Sequence, residues 1–340
     1  MMREPPRGLR LYRSCRSIQQ ILPWNPPADV IIKPVLEFSA MRVISLLPSA
    51  TETLCTVGGE ALLVGRSHEC DHPGSISDLP VLTRQRTQET SSKEIDQQVK
   101  EALSSGESLY ELDAALLKDL RPDVILTQDL CDVCSIDLKT VRSVAAELEH
   151  EPRIVNLDPK TIFDVFDDLL TVGEAVDLQE PAEQAMVALR ARYWEAIDFV
   201  NPYASQPEVL FLEWADPPFV GGHWTPGLIE AAGGRHSLGK AGADSRQVSP
   251  EDILEVMPER VVVCPCGYDL ERCWQEKEVL EATNWWPLVP GVQEGRVAFV
   301  DGNQMFNRPG PRLVDGFRWL VSWLQDRPEV APERFPVRFG

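Results

Sequence analysis

From residue 41 onward, short runs of β-branched and other apolar residues alternate with stretches whose apolar positions recur three and four apart, the pattern of parallel α/β layers. Residues 42–47 (RVISLL) read as a strand, and a helix follows in which Ser49 and Glu52 have capping-box spacing and Gly58-Gly59 gives the stop. The pattern predicts further strands at 62–65, 123–127 and 153–156, with helices at 93–104, 113–120 and 137–148, closing a first lobe over 41–160. Residues 161–177 and 181–200 both read as helices, the second striped by Met186, Leu189, Tyr193, Ile197 and Val200. No Gly/Ser linker interrupts this stretch, so 161–203 is expected to be a stiff helical spine rather than a hinge. A second lobe over 204–340 takes strands at 208–212, 260–263 and 296–300 and helices at 226–232, 269–281 and 311–325, with one more opened by Ser249 as cap and Pro250 at the first helical position. The expected fold class is therefore α/β: two Rossmann-like lobes joined by a long rigid helix, with a ligand cleft between the lobes.

Residues 1–40 break this pattern. They carry Arg3, Arg7, Arg10, Arg13, Arg16 and Lys33 against Glu4, Asp29 and Glu37, and Pro5, Pro6, Pro23, Pro26, Pro27 and Pro34 make a packed element a poor expectation. The segment reads as a disordered extension or an over-long gene start. It lacks the apolar run of about 7–15 residues that a signal peptide needs, and Cys15 follows Arg13 and Ser14 rather than a lipidation segment. A cytoplasmic location is expected on that ground, and with it reduced cysteines.

The formal charge of −20 offers no basic field to replace the counterions of nucleic acid or anionic lipid, which argues against both as partners. No apolar run approaches the ~20 residues that span a bilayer. A monomer that binds a small molecule fits best.

The chemically unusual residues fall just after predicted strands, where ligands bind in open α/β sheets. His68, Glu69, Cys70 and Asp71 follow the second strand; Asp129, Cys131 and Cys134 follow 123–127; Glu213, Trp214 and Asp216 follow 208–212; Cys264, Cys266, Gly267 and Tyr268 follow 260–263. Gly221, Gly222, His223 and Trp224 lie close behind, with the glycines placed to let a backbone approach a ligand and the tryptophans to wall a large flat one. A soft or borderline transition metal could be held by His68, Cys70, Cys131, Cys134, His223, Cys264 and Cys266, while C-x-x-C at 131–134 also suits a redox dithiol. Cys55 and Cys273 read as small buried hydrophobes, Trp285-Trp286 as core, and His72, His150 and His236 as surface or structural. No Ser/His/Asp order, P-loop or dinucleotide fingerprint appears.

At these residues the sequence resembles the cobalamin-binding branch of the periplasmic binding proteins for vitamin B12 and iron chelates. RVISLLPSATETL at 42–54, GRSHECDHP at 65–73, TQDLCDVC at 127–134, FLEWADPPFVGGHWTP at 211–226 and VVVCPCGYDLER at 261–272 carry the similarity, in the family's order. The resemblance implies a cleft for a cobalamin-like corrinoid or a metal chelate and, as partner, an ATP-driven (ABC) importer. A protein that binds without catalysis is the leading expectation. A cytosolic metal-binding protein or metalloenzyme is the second, and a thiol redox enzyme the third.

Overall fold

The computed structural model describes residues 41–87, 91–105, 108–128, 136 and 138–340. The expectations for residues 1–40 and for Asp129, Cys131 and Cys134 lie outside the described residues. The chain enters at β1 (Val43–Ser45), passes through α1 (Pro48–Thr56) to β2 (Leu63–Arg66), then makes an excursion through β3 (Thr83–Gln85), α2 (Ser92–Ser105) and β4 (Tyr110–Leu112). It returns through α3 (Ala114–Leu120) to β5 (Val124–Gln128), α4 (Leu138–Ala145) and β6 (Arg153–Leu157). Strands β2-β1-β5-β6 form a parallel sheet, while β3 and β4 pair antiparallel by themselves. Every residue of β5 is buried, as expected for a parallel strand covered on both faces.

Helices α5 (Ile162–Ala175) and α6 (Gln179–Ile197) lead to the second half. There β7 (Val209–Trp214), β8 (Phe219–Val220), α7 (Thr225–Ala231), β9 (Arg246–Gln247), α8 (Pro250–Val256), β10 (Arg260–Val263), α9 (Leu270–Glu281), α10 (Pro290–Gln293), β11 (Val297–Val300), α11 (Leu313–Leu324) and β12 (Val337–Phe339) follow in turn. The sheet order is β12-β11-β10-β7-β8-β9, with β7, β10 and β11 parallel at its centre and the short strands antiparallel toward its edges.

The helix starts follow local chemistry. Ser249 caps α8 in a capping box with Asp252, as the Ser-Pro signal predicts, and Thr161 caps α5 in the same way with Asp164. The box expected from Ser49 and Glu52 does not form. Pro48 sits at the first helical position of α1, so Ser49 falls inside the helix, and the Glu52 carboxylate is drawn away to Arg312 and Arg308.

The spine is two packed helices rather than one strut. α5 packs on α1 of the first half, and α6 packs on α5 and on α11 of the second. Tyr193 of α6 stands between Phe166 of α5, 5.9 Å between ring centroids, and Phe317 of α11, 4.5 Å. One apolar core therefore runs from Val43 through Leu169 and Leu189 to Phe211 and Phe317, and residues Met41–Gly340 form one compact unit. Gly173 makes the close crossing possible: a Cβ there would lie 2.3 Å from that of Ala182. Among the described residues no helix is long and apolar enough to cross a membrane.

Candidate functional site

The loop after β2 is wrapped around its own arginine. Arg66 donates to the carbonyls of Ser67, Cys70 and Ser77, which folds residues 67–77 back on the strand end. His68 is fixed through Nδ1 to Thr83 Oγ1 at 2.7 Å, its ring 5.8 Å from that of Tyr110. Its Nε2 is buried without a hydrogen-bond partner, and burial lowers the imidazole pKa, so the ring is held neutral. Cys70 is sealed beneath the loop, with Sγ 3.0 Å from Thr51 Oγ1 and 3.2 Å from Ser67 Oγ, and burial pushes its thiol pKa up. Burial likewise raises the Glu69 carboxyl.

In the second half Glu213 and Trp214 are the last residues of β7, not the loop after it. The Trp214 and Tyr268 rings lie 5.1 Å apart, and the Arg272 guanidinium covers Tyr268 at 3.8 Å while donating to its hydroxyl at 3.2 Å. The Trp214 indole N–H donates to the Ser92 carbonyl of α2, 3.0 Å away in the other half of the fold. Asp216 is partly buried just beyond, and Gly267 turns at φ 78° with its N–H on Gly302 O.

The Gly-Gly-His-Trp run takes a different role from the one its composition suggests. A Cβ on Gly222 would lie 2.4 Å from Ser245 N and 2.5 Å from Ala243 O, and one on Gly221 2.8 Å from the Thr225 side chain. These glycines admit protein, not a ligand: the 221–225 loop closes on residues 243–245, where Ser245 Oγ accepts from Gly222 N and donates to Glu213. His223 is held at φ 50° and stacks on Trp224 at 5.5 Å, its Nδ1 3.9 Å from Asp244 Oδ1. Its pKa is lowered by burial and by Lys160. Trp224 is 5% exposed and donates its indole N–H to Phe306 O at 2.7 Å, which makes it a core residue.

Between the two rims stands a side chain that sequence reasoning passed over. Arg308, only 5% exposed, reaches from the loop after β11 to Asp71 Oδ1 at 2.5 Å, Glu69 O at 3.0 Å and Glu52 Oε1 at 3.4 Å, with Asn303 Oδ1 at 3.0 Å on its own side. Arg312 takes both Glu52 oxygens, at 2.5 and 2.8 Å. The carboxyl-end rims of the two sheets are thus joined through buried charge.

No family model matches the chain. Its sequence is 22% identical over 292 residues to a vitamin B12-binding protein of Vibrio cholerae serotype O1, covering 85% of this chain and 90% of that one. The backbone superposes on a periplasmic heme binding protein from Pseudomonas aeruginosa with a TM-score of 0.67 at 19% identity, over 88% of this chain and 97% of the other. It also superposes on the periplasmic vitamin B12 binding protein of Vibrio cholerae (TM-score 0.61, 18% identity, 84% and 97% covered). A third match is an ABC transporter substrate-binding protein from Listeria monocytogenes (0.65, 17%, 84% and 99%). The chain has the two-lobed periplasmic-binding-protein fold.

Within this fold the predicted residues form separate sets rather than one ring. Trp214 and Tyr268 come together, Glu213 reaches Gly222 through Ser245, and Asp71 and the Glu69 carbonyl serve Arg308. Among the described residues no three His, Cys, Asp or Glu side chains are placed to hold a metal, so His68, Cys70, His223, Cys264 and Cys266 do not form such a group by themselves, and the other two residues of the expected set, Cys131 and Cys134, lie outside the described residues. Cys264 is fully enclosed with its thiol pKa raised, and Cys273 is pushed up to about 12 by desolvation, opposite to what a redox nucleophile requires. Cys55, partly buried against the core, is likewise pushed up to about 12. Trp285 and Trp286 are core, and His236 is buried with Nδ1 2.7 Å from Val209 O. Cavities of about 290 and 420 Å³ lie beside Arg86 and Ser108, and none of the predicted site residues lines them. Arg308, Arg312 and Asn303 were within reach of the rule used for the other loops, since the strand at 296–300 was legible and they follow it.

Proposed function

We propose that this chain is a substrate-binding protein for a metal tetrapyrrole, a corrinoid in the first instance, taken between the two rims, with an ABC importer as the onward partner. The observation that carries the reading is Trp214, partly exposed at the carboxyl end of β7 and backed by the buried Tyr268, with the Arg272 guanidinium alongside: an aromatic face for a flat macrocycle beside a cation for its anionic substituents. The vitamin B12-binding relative, aligned along 85% of the chain, supports the corrinoid. Heme is the second reading, favoured by the guanidinium, which suits carboxylates better than the amides of a corrin ring.

The test is titration of the purified chain with cyanocobalamin and with hemin, followed by absorbance. Trp214→Ala should weaken the bound ligand by about 5- to 100-fold, the range for losing a buried aromatic contact. Trp224→Ala serves as the contrast, because it empties a core position and should lower stability by about 3–5 kcal/mol. Absence of binding to either compound below about 100 μM, which is weaker than about −5.5 kcal/mol, would remove the proposal.

A further inference from the structure

Of the fourteen residues of α2 only Ser92 is buried, whereas α5, of the same length, buries seven. Apolar side chains that could anchor α2 are at best partly covered, and Leu103 is exposed. The helix keeps its own shape, since Ser91 and Glu94 bond reciprocally at its start and Lys100 pairs with Asp96 and Gln97 with Glu101 along it. Its one buried foothold is Ser92, and what Ser92 touches belongs to the other half of the fold. The Ser92 carbonyl takes the Trp214 indole N–H at 3.0 Å, and the Ser92 hydroxyl is buried without a hydrogen-bond partner. An element with little buried apolar surface opens at low cost, and here the tip of the helix is bonded to the second half.

We propose that α2 is a flap whose Ser92 tip covers the Trp214–Tyr268 rim and must lift for a ligand to reach Trp214. The flap blocks by occupancy: the indole N–H is already donated, and Ser92 fills the space beside the ring. The use of the flap as a gate rests on the reading that Trp214 lines the ligand site. Its motion does not.

Hydrogen exchange of the full chain without added ligand tests the motion. Amides over residues 93–105 should exchange at least tenfold faster than those over 163–175. Trp214→Phe keeps a ring against Tyr268 but removes the donor. It should speed exchange at the start of α2 by about threefold to tenfold, the effect of losing one hydrogen bond, and leave α5 unchanged. Exchange over 93–105 as slow as over 163–175, or indifferent to Trp214→Phe, overturns the flap. If the exchange behaves as stated but neither cyanocobalamin nor hemin binds, the flap stands and the tetrapyrrole reading falls. If ligand binds and the Trp214→Phe protein does not associate faster than wild type, the gate is overturned.

Discussion

Arg308 and Asp71 meet at 2.5 Å across the two halves of the fold, 237 residues apart in the chain. The guanidinium is nearly fully buried, and every partner it has there is an oxygen: two carboxylates, the Glu69 carbonyl and the Asn303 amide. A charge taken so far out of water is tolerable only with that degree of satisfaction. The HEC-D run at 68–71 is therefore, in part, lobe-to-lobe contact.

Arg308→Ala leaves Glu52 buried at 3% exposure with Arg312 alone to balance it. Removing one partner from a buried ionic set costs about 3–5 kcal/mol, so the melting temperature should fall steeply. Asp71→Asn, at a carboxylate that is half exposed, should cost about 1 kcal/mol or less. Equal losses from the two, measured by denaturant unfolding, would contradict the assignment of Arg308 as the buried centre.

The spine offers a second measurement. Gly173→Ala places a Cβ 2.3 Å from Ala182 Cβ and 3.0 Å from Leu178 O, and the latter is backbone that cannot turn aside. Overpacking of this kind costs about 1–3 kcal/mol. Because one core runs through α5 and α6 into both halves, the loss should appear in a single cooperative transition rather than in one half alone. Two separated transitions would show that the halves fold independently.

The parallel core was legible because its strands are short apolar runs such as 261–263, and because Ser249-Pro250 and the stripe at 186–200 are strong local signals. Strands β8 and β9, with two residues each, and β3, β4 and β12, with three, are too short to carry a period of two and did not register. The site was legible only as topology. The strand-end rule singled out Trp214 and Tyr268, whose rings adjoin, but composition could not tell that Gly222 faces the backbone at 243–245 or that the Trp224 N–H is spent on Phe306, since both depend on loops that meet only when folded. Arg308, which the strand-end rule could have reached, was passed over because its partners Asp71 and Glu52 lie 237 residues away or more in the chain.

Asp168 provides the pH-dependent prediction. It lies on α5, with Oδ2 buried and without a partner, and its pKa is raised from 3.8 to about 7 by desolvation, then by Asp164, Asp167 and Asp158. Between about pH 4 and pH 7 the folded chain holds a proton here that the unfolded chain has released. The cost of the group is accordingly absent below about pH 4, grows as pH rises, and is complete above about 7. Asn at this position carries no charge to desolvate, so Asp168→Asn should stabilise the protein by about 1–3 kcal/mol at pH 8 and hardly at all at pH 4. His68, His223 and His236, whose pKa values are lowered by burial, destabilise the fold as pH falls through the range of the unfolded imidazole, near 6.5. They do so in both proteins and drop out of the difference between mutant and wild type. Melting temperatures of the pair at pH 8 and pH 4 measure that difference directly, and a gain of equal size at both values would mean that the charge of Asp168 is not what the fold resists.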